Sequence, residues 1–277
     1  MNGFVISLME NTKDVKEKLM ENRYPLFETG RILKKEALEV IRDYPRDLLD
    51  ILYEGYTDGV IRGLRLSSDH ENRNLIIGKG LIKLKGEVYL VNKEIKVVYT
   101  HTEQRMYLKL KCNEKKDKDF KVNEIEAFLS DEKESKDGEI LLCDFLLKSG
   151  FVLRDTYLNF ADMRSEYDTI HLMNADYAGY GEKSFNIEVL KAYAKEYLST
   201  KKCEETDRNF CYMVLNSMEG IDRSIIENYI AFKEGKLKVS HLSSKEIYTG
   251  LFDILAVAKN TDGSRTTGFS PKKILVD

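Results

Sequence analysis

The sequence contains no tryptophan, and it has only three prolines and four cysteines among 277 residues. The cysteines (Cys112, Cys143, Cys203 and Cys211) are far apart and form no Cys-x-x-Cys pair, which argues against a zinc site and a disulfide framework. No apolar run approaches the length of about 20 residues that a membrane-spanning helix needs. Residues 4–9 lack a basic leader and a small-residue cleavage site, so we expect no signal peptide and synthesis in the cytoplasm.

A large excess of one charge is also missing. The 44 basic and 47 acidic residues give a net charge of -3, which does not favour a nucleic-acid partner. Hydrophobic residues make up 42% of the chain and charged residues 33%. This mixture is typical of a folded globular protein and not of a disordered one.

Residues 1–58 are predicted to be an N-terminal helical segment. A short charged helix is expected at Lys13–Asn22, and a second one is indicated by the apolar spacing of residues 33–41. Because proline suits the first turn of a helix, a third helix is predicted to start at Pro45. Its apolar face would comprise Leu48, Leu49, Leu52, Tyr53 and Tyr56.

Residues 59–153 alternate between apolar and polar side chains, which predicts an antiparallel β module, either a sandwich or a small barrel. Along Met106–Cys112 this alternation points Lys109 away from the core. The charged stretches Asn113–Lys121 and Ser130–Gly138 are predicted to be exposed loops, the second of them in a hairpin. The expected strands are Val60–Leu66, Leu75–Ile77, Leu81–Leu84, Val88–Val91, Ile95–Tyr99, Met106–Cys112, Ile125–Leu129 and Ile140–Leu147.

The rest of the chain favours helices. Residues 154–183 form an aromatic connector, residues 184–259 a helical domain, and residues 260–277 an extended C-terminal arm. Helix starts are indicated by Ser184 or Asn186 and by the capping-box pattern Ser243–Glu246. The predicted fold class is therefore α+β, with a helical segment, a central antiparallel β module and a C-terminal helical domain.

Catalytic motifs are missing as well. There is no Gly-x-Ser-x-Gly and no His-Glu-x-x-His. The glycine-rich stretch Gly179–Ser184 is not a phosphate loop, because Glu182 stands between Gly181 and Lys183. A cation or glycosidase site would require Asp162, Glu166 and Asp168 to converge. We expect no cofactor and no metal.

A resemblance to a known family rests on six stretches taken in order. They are Tyr24–Glu36, Arg42–Asp47, Tyr56–Gly63, Ile77–Lys83, Leu153–Tyr157 and Glu166–Thr169. Together they resemble baseplate or tail-fibre-associated proteins of contractile phage tails and of phage-tail-like bacteriocins from Gram-positive bacteria. The resemblance runs from about Tyr24 to Leu198, and the family offers no catalytic residue to transfer to this chain.

The resemblance implies a virion structural protein that acts by assembly and not by catalysis. It would lie at the baseplate or connect the baseplate to a tail fibre, in a homo- or hetero-oligomer with baseplate, wedge or fibre proteins. Neither nucleic acid nor membrane is an expected partner, and the finished particle would be released on lysis. The alternative is a carbohydrate-active hydrolase or a carbohydrate-binding β module acting on cell-surface glycans. The candidate interface residues are Tyr24, Pro25, Leu26, Phe27, Arg31, Tyr44, Pro45, Tyr53 and Tyr56.

Overall fold

A computed structural model describes residues 22–101, 103–201, 203–236 and 241–260 of the chain. The chain divides into two compact units, residues 1–52 and 53–277. The predicted helix at Lys13–Asn22 lies outside the described residues apart from Asn22. The same holds for the predicted arm at residues 260–277, apart from Asn260.

The described part of the first unit, residues 22–52, contains one helix, α1, which spans the 18 residues Lys35–Leu52 and has Pro45 inside it. The prediction of two helices that meet at Pro45 was therefore wrong. An interior proline removes one backbone hydrogen bond, but the apolar spacing of Ile41, Tyr44 and Leu48 continues in phase through it. None of the residues of α1 is buried.

The second unit holds the β module, whose described strands form three antiparallel sheets of three strands each. The sheet orders are β1-β4-β5, β2-β3-β6 and β8-β7-β9. The strands are β1 Gly59–Gly63, β2 Leu66–Asp69, β3 Asn74–Ile77, β4 Gly80–Leu84, β5 Glu87–Val91, β6 Ile95–Val98, β7 Arg105–Asp117, β8 Phe120–Ser130 and β9 Glu139–Leu146.

The stretch predicted as a single first strand, Val60–Leu66, is broken between β1 and β2. Gly63 and Leu64 both have a positive φ, 78° and 54°, a region that extended strands do not use. The chain therefore leaves the first sheet at Gly63 and enters the second at Leu66.

The predicted loop at Asn113–Lys121 is instead the end of a long two-stranded ribbon. β7 and β8 stay paired out to Asp117 and Phe120. Residues 113–121 are all exposed, so no buried face imposes the apolar alternation by which strands are recognised in a sequence. Lys115 of β7 forms an ion pair with Glu124 of β8, and the backbone pairing continues to the tip of the ribbon.

The loop predicted as a hairpin between residues 130 and 138 has a different role. β8 and β9 are not neighbours, because each of them pairs with an opposite side of β7. The loop therefore connects the two outer strands of the sheet, and the prediction of a hairpin there was wrong.

A short 3-10 helix spans Ala161–Arg164 in the connector, and four α-helices follow it in the part of the chain that the structure describes. The predicted start at Asn186 is confirmed, since its side chain accepts a hydrogen bond from the Glu188 amide. The capping box is also confirmed, because Ser243 and Glu246 each accept the other's backbone amide. The helices are α2 Ile187–Leu198, α3 Glu205–Asn216, α4 Arg223–Lys233 and α5 Ser244–Asn260.

The β module and the helical domain share one hydrophobic core. Phe160 of the connector is at its centre, where its ring stacks on Tyr248 of α5 at 4.6 Å and meets Tyr193 of α2 edge-on at 5.6 Å. The α+β class is confirmed, with an N-terminal helix, central antiparallel sheets and C-terminal helices.

Candidate functional site

Most of the candidate interface residues lie in the first unit and are exposed. Tyr24 is 63% exposed, Leu26 76%, Phe27 67% and Tyr44 50%, and the rings of Tyr24 and Tyr44 meet edge-on at 5.8 Å. Together with other exposed apolar side chains of this unit they make up a set that we call the N-terminal apolar residues. The set is Tyr24, Leu26, Phe27, Ile32, Leu33, Leu38, Ile41, Tyr44, Leu48, Ile51 and Leu52.

The remaining candidates of the first unit flank this set. Arg31 is exposed and forms an ion pair with Glu28 at 2.7 Å. Pro25 is half-buried and Pro45 is exposed within α1. The exposed candidates of this unit are thus mainly aromatic and apolar, and Arg31 adds a charge that is already paired.

The last two candidates, Tyr53 and Tyr56, lie in the second unit and pack within it. Tyr53 is buried, and its hydroxyl donates to Glu219 Oε1 at 2.8 Å, while Tyr56 donates to the other oxygen at 3.3 Å. Burial, followed by the hydrogen bond to Glu219, raises the pKa of Tyr53 to about 12. Both hydroxyls therefore tie this turn to the loop that joins α3 and α4.

A buried lysine also holds the turn at Tyr53 and Glu54. Lys83 of β4 is 5% exposed, and its Nζ donates to the carbonyl oxygens of Tyr53 at 2.5 Å and Glu54 at 3.0 Å. A buried ammonium group needs such acceptors to offset the loss of its hydration. No sequence pattern indicated this role, since Lys83 alternates with apolar residues as an exposed strand residue would.

A cleft of about 750 Å³ lies where the β1–β2 junction, the connector and α2 meet. Its walls are mostly apolar and aromatic, with charged side chains from each of the three elements. No sequence pattern indicated the cleft, because two of its walls, the β1–β2 junction and α2, lie more than a hundred residues apart along the chain. The apolar and aromatic lining includes Val60, Leu64, Leu66, Leu142, Tyr157, Phe160, Met163, Ile170, Leu172, Tyr177 and Ala192.

The charged groups of the cleft are balanced in sign. Arg65, Lys191 and Lys195 supply cations, and Asp155, Glu188 and Glu196 supply carboxylates. Two of these carboxylates already have partners.

Asp155 accepts the amide of Ser68 at 2.8 Å, and Glu196 accepts the amide of Phe160 at 2.5 Å and pairs with Lys259 of α5. These bonds fix the cleft walls to one another.

The carboxylates considered for a hydrolytic site take separate partners. Asp162 binds both terminal nitrogens of Arg154, at 2.5 and 2.8 Å. Partial burial opposes its ionisation, but the bonds from Arg154, the Leu158 amide and Ser165 lower the pKa of Asp162 to about 2. Such a group stays ionised and paired, so it is unsuited to act as a general acid.

The other two carboxylates are placed differently. Asp168 accepts the amide of Lys148 at 3.0 Å and has a positive φ of 58°, and Glu166 is exposed. Asp162 and Asp168 thus each accept hydrogen bonds from backbone amides, and they do not form a common binding site for a ligand.

A buried cluster of charged and polar groups lies between β7, β9 and the connector. Asp144 accepts hydrogen bonds from Arg105 and from Asn174 at 3.1 Å. Burial opposes the ionisation of Asp144, but hydrogen bonds from His171, Asn174 and Arg105 lower its pKa. The Nε2 of His171 meets the carbonyl oxygen of Ser165 at 2.6 Å, so neither ring nitrogen is left for a substrate.

The helical domain contains a polar network that sequence reasoning missed. Asp207 of α3 is fully buried and accepts hydrogen bonds from Tyr197 at 2.7 Å, from Tyr229 at 3.0 Å and from Lys233 at 3.1 Å. Tyr229 also bonds the hydroxyl of Tyr193 at 2.7 Å. The network joins α2, α3 and α4, and it accounts for several of the 16 tyrosines.

The described residues contain no group of three or more His, Cys, Asp or Glu side chains that could hold a metal ion. Within the same ranges, no helix has the length and apolar character needed to cross a membrane. At the glycine-rich turn, Lys183 pairs with Asp176 at 2.5 Å, so its charge is directed to the protein and not to a phosphate.

Comparisons with known proteins give few matches. No family model matches the sequence, and no curated protein matches it. Among solved structures, the chain is similar to one in the type VI secretion system TssK-TssF-TssG baseplate subcomplex, with 7% identity and a TM-score of 0.39 over 87% of this chain and 100% of the other.

Two further structures belong to the same secretion system. A crystal structure of TssK matches with 6% identity and a TM-score of 0.37, over 88% of this chain and 73% of that one. A chain of the type VI baseplate complex matches with 10% identity and a TM-score of 0.29, over 85% and 100% of the two chains. These neighbours are baseplate components of a contractile injection system, and at such TM-scores the similarity carries no argument about this chain.

Proposed function

We propose that the protein is a structural component of a contractile phage tail or phage-tail-like bacteriocin, located at the baseplate or connecting the baseplate to a tail fibre. It acts by protein–protein assembly and without catalysis. The observation that carries the proposal is the exposure of the N-terminal apolar residues. The sequence resemblance also supports the proposal. Its most distinctive stretches, Tyr24–Glu36 and Arg42–Asp47, contain several of the same residues.

The exposed apolar side chains of α1 form a stripe. Ile41, Tyr44, Leu48 and Ile51 follow one another at intervals of three and four residues, so they share one face of the helix. Each exposed apolar side chain of this size forgoes about 1.5–3 kcal/mol that burial would contribute. Helices with such a stripe bind in the apolar groove of a partner or pack in a helical bundle.

The absence of catalysis is part of the proposal and is supported by the state of the candidate groups. Asp162 is held ionised by Arg154, and His171 has both ring nitrogens engaged. The glycan-directed alternative would need a free acid and base at one place. Among the described residues, Asp162 instead bonds within the connector, and His171 joins the connector to Arg105 and Asp144 of the β module.

The test is co-sedimentation of the purified chain with tail particles or with neighbouring baseplate and fibre proteins. The double variant Ile41→Glu/Leu48→Glu places charges in the stripe, and we expect it to lose at least tenfold in binding. Phe232→Glu/Tyr212→Glu is the matched control, because both side chains are exposed on helices of the other unit, at 64% and 58%. A wild-type chain that never sediments with the particle would overturn the proposal, as would equal loss in both variants.

A further inference from the structure

We propose that a pocket at one end of the β1-β4-β5 sheet binds an acidic segment of a partner protein, one in which carboxylates flank an apolar side chain. Every residue of this site belongs to the second unit. The proposal makes no use of the N-terminal apolar residues, so it stands independently of the proposed function.

The pocket has a volume of about 350 Å³ and lies where the β1–β4 pairing ends in two glycines. Gly63 of β1 pairs with Gly80 of β4, and Gly80 pairs in turn with Val91 of β5. A Cβ atom at position 80 would collide with the carbonyl oxygen of Arg62, so the glycine allows β1 and β4 to approach closely at this end. The remaining lining consists of Arg62, Lys79, Leu81, Leu90 and Asn92.

A row of three side chains crosses the sheet beside the glycines. Arg62 of β1 lies opposite Leu81 of β4, and Leu81 lies opposite Leu90 of β5. Residues directly opposite one another in antiparallel strands share a face of the sheet, so one face presents a cation next to two leucines. Leu90 is 64% exposed although it lies within a strand, and contact with a partner would remove this apolar surface from water.

The charged residues that line the pocket are both cations. Among its described lining residues, Arg62 and Lys79 are positive and none carries a carboxylate. Both side chains are exposed, and neither forms an ion pair within the described ranges. An anionic group on the partner is therefore the electrostatic complement of this pocket.

The guanidinium group of Arg62 has donors that the protein does not use. Its Nη2 donates to the Sδ of Met218 at 3.4 Å, which is a weak bond, and four further N–H donors remain. A guanidinium edge with free donors binds a carboxylate through two parallel hydrogen bonds. The carboxylate of Glu219, next to Met218, is already engaged, because its oxygens accept hydrogen bonds from Tyr53 and Tyr56.

Exposed side chains extend this surface towards the loop between α3 and α4. Met218 is 61% exposed and Tyr180 is 69% exposed, and the ring of Tyr180 meets that of Tyr56 edge-on at 6.3 Å. Methionine, tyrosine and arginine are enriched in protein–protein interfaces. The composition of the surface therefore suits a protein segment.

A nucleic acid is a poorer fit to the same pocket. Proteins that bind nucleic acid neutralise many phosphates at once. Two cations beside two leucines neutralise few, and the leucines would be left against a polar backbone. The apolar row and the two cations together favour a peptide in which acidic and apolar residues are neighbours.

The test begins with an array of short random peptides, screened with the labelled full chain. We expect the strongest binders to carry at least two Asp or Glu residues next to Leu, Ile, Met or Phe. The best of them is then measured in solution by fluorescence anisotropy. Replacing its acidic residues with Asn and Gln should weaken binding at least tenfold, a readout that needs no variant of the protein. An array on which acidic–apolar peptides bind no better than neutral ones overturns the proposal.

Charge reversal then locates the site. Arg62→Glu/Lys79→Glu should weaken binding of the acidic peptide at least tenfold and should bind instead a peptide with lysines in place of its acids. Lys116→Glu/Lys118→Glu is the matched control, because it makes the same change of charge at exposed positions of the β7–β8 ribbon. Equal loss in the two variants would show attraction by net charge alone and would overturn the assignment to this pocket.

The apolar contact has its own pair of variants. Leu90→Ser should weaken binding several-fold, whereas Val98→Ser, at a site of β6 that is 68% exposed, should leave it unchanged. An unchanged affinity in Leu90→Ser contradicts the proposal. A short single-stranded DNA that binds as tightly as the peptide, and loses affinity in Arg62→Glu/Lys79→Glu, would identify the pocket as a general polyanion site and would also overturn it.

Discussion

The carboxylate of Asp207 lies 2.7 Å from the hydroxyl oxygen of Tyr197 and 3.1 Å from the ammonium nitrogen of Lys233, with Asp207 itself fully buried. Burial opposes the charge of Lys233, but the hydrogen bonds that its ammonium group donates to Asp207 and Glu204 outweigh this effect and raise its pKa. A buried charge stripped of its partner is strongly destabilising. The helical domain therefore depends on this carboxylate more than on a typical surface ion pair.

We expect Asp207→Asn to lower the free energy of unfolding by about 3 kcal/mol, because it keeps the shape but leaves Lys233 without its buried counter-charge. Urea denaturation measures the change. The double variant Asp207→Asn/Lys233→Met removes both charges and should recover part of the loss. If the two single effects simply add, the coupling assigned to this pair is absent.

Asp162 gives a prediction about pH. Its pKa in the folded chain is about 2, below the ordinary value of about 3.9. A lowered folded-state pKa stabilises the protein above the unfolded pKa, and this stabilisation is lost as the pH falls from about 4 towards 2. At neutral pH the contribution amounts to about 2 kcal/mol.

Asp162→Asn should therefore remove about this much stability at pH 7 and progressively less below pH 4. Denaturation curves for the wild type and the variant at a series of pH values provide the measurement. Glu166→Gln is the matched control, because Glu166 is an exposed carboxylate of the same segment. A difference between wild type and Asp162→Asn that does not change with pH would refute this account.

The contacts of Lys109 lead to a prediction about the loop at residues 131–138. Its buried Nζ donates to the carbonyl oxygen of Glu134 at 2.5 Å and lies 3.7 Å from a carboxylate oxygen of Glu139. Lys109→Met should release the loop at residues 131–138, so that trypsin cleaves after Lys133 and Lys136 at least several-fold faster.

Lys111→Met is the comparison for this experiment, since Lys111 lies two residues further along the same strand and is only half-buried. Equal cleavage rates in the two variants would show that Lys109 does not hold the loop.

A comparison of two glycines with a similar φ distinguishes the cost of a steric collision from the cost of backbone strain. Gly63 has a φ of 78° and Gly86 a φ of 80°. A Cβ atom at position 63 would collide with the carbonyl oxygen of Lys79, whereas one at position 86 has no atom within 4 Å.

Gly86→Ala should cost about 1 kcal/mol, the strain of a left-handed residue alone. Gly63→Ala should cost clearly more, because Lys79 and the β1–β4 pairing must also shift. Equal denaturation midpoints for the two variants would contradict the close approach at Gly63.

The sequence patterns located the elements that have one buried face. The alternation in β3 and the capping residues Asn186 and Ser243 mark a real strand and real helix starts. These signals succeed because they are local: a strand face or a cap is specified within a few residues.

The patterns failed where distant residues decide the outcome. Alternation predicted an exposed Lys109, but a bulge between Leu108 and Lys109 interrupts the pairing with β9 and the side chain is 1% exposed. Its partners Glu134 and Glu139 lie 25 and 30 residues away along the chain, so no local pattern shows them. The cleft beside α2 and the Asp207 network were missed for the same reason.

Lys83 has a mechanical consequence. Lys83 lies on β4, the middle strand of its sheet, and its ammonium group donates hydrogen bonds to the carbonyl oxygens of Tyr53 and Glu54. A pulling load applied to the chain ahead of Tyr53 is therefore shared between the edge strand β1 and, through this ammonium group, the central strand. Such a contact would keep tension from separating the sheet strand by strand from its edge.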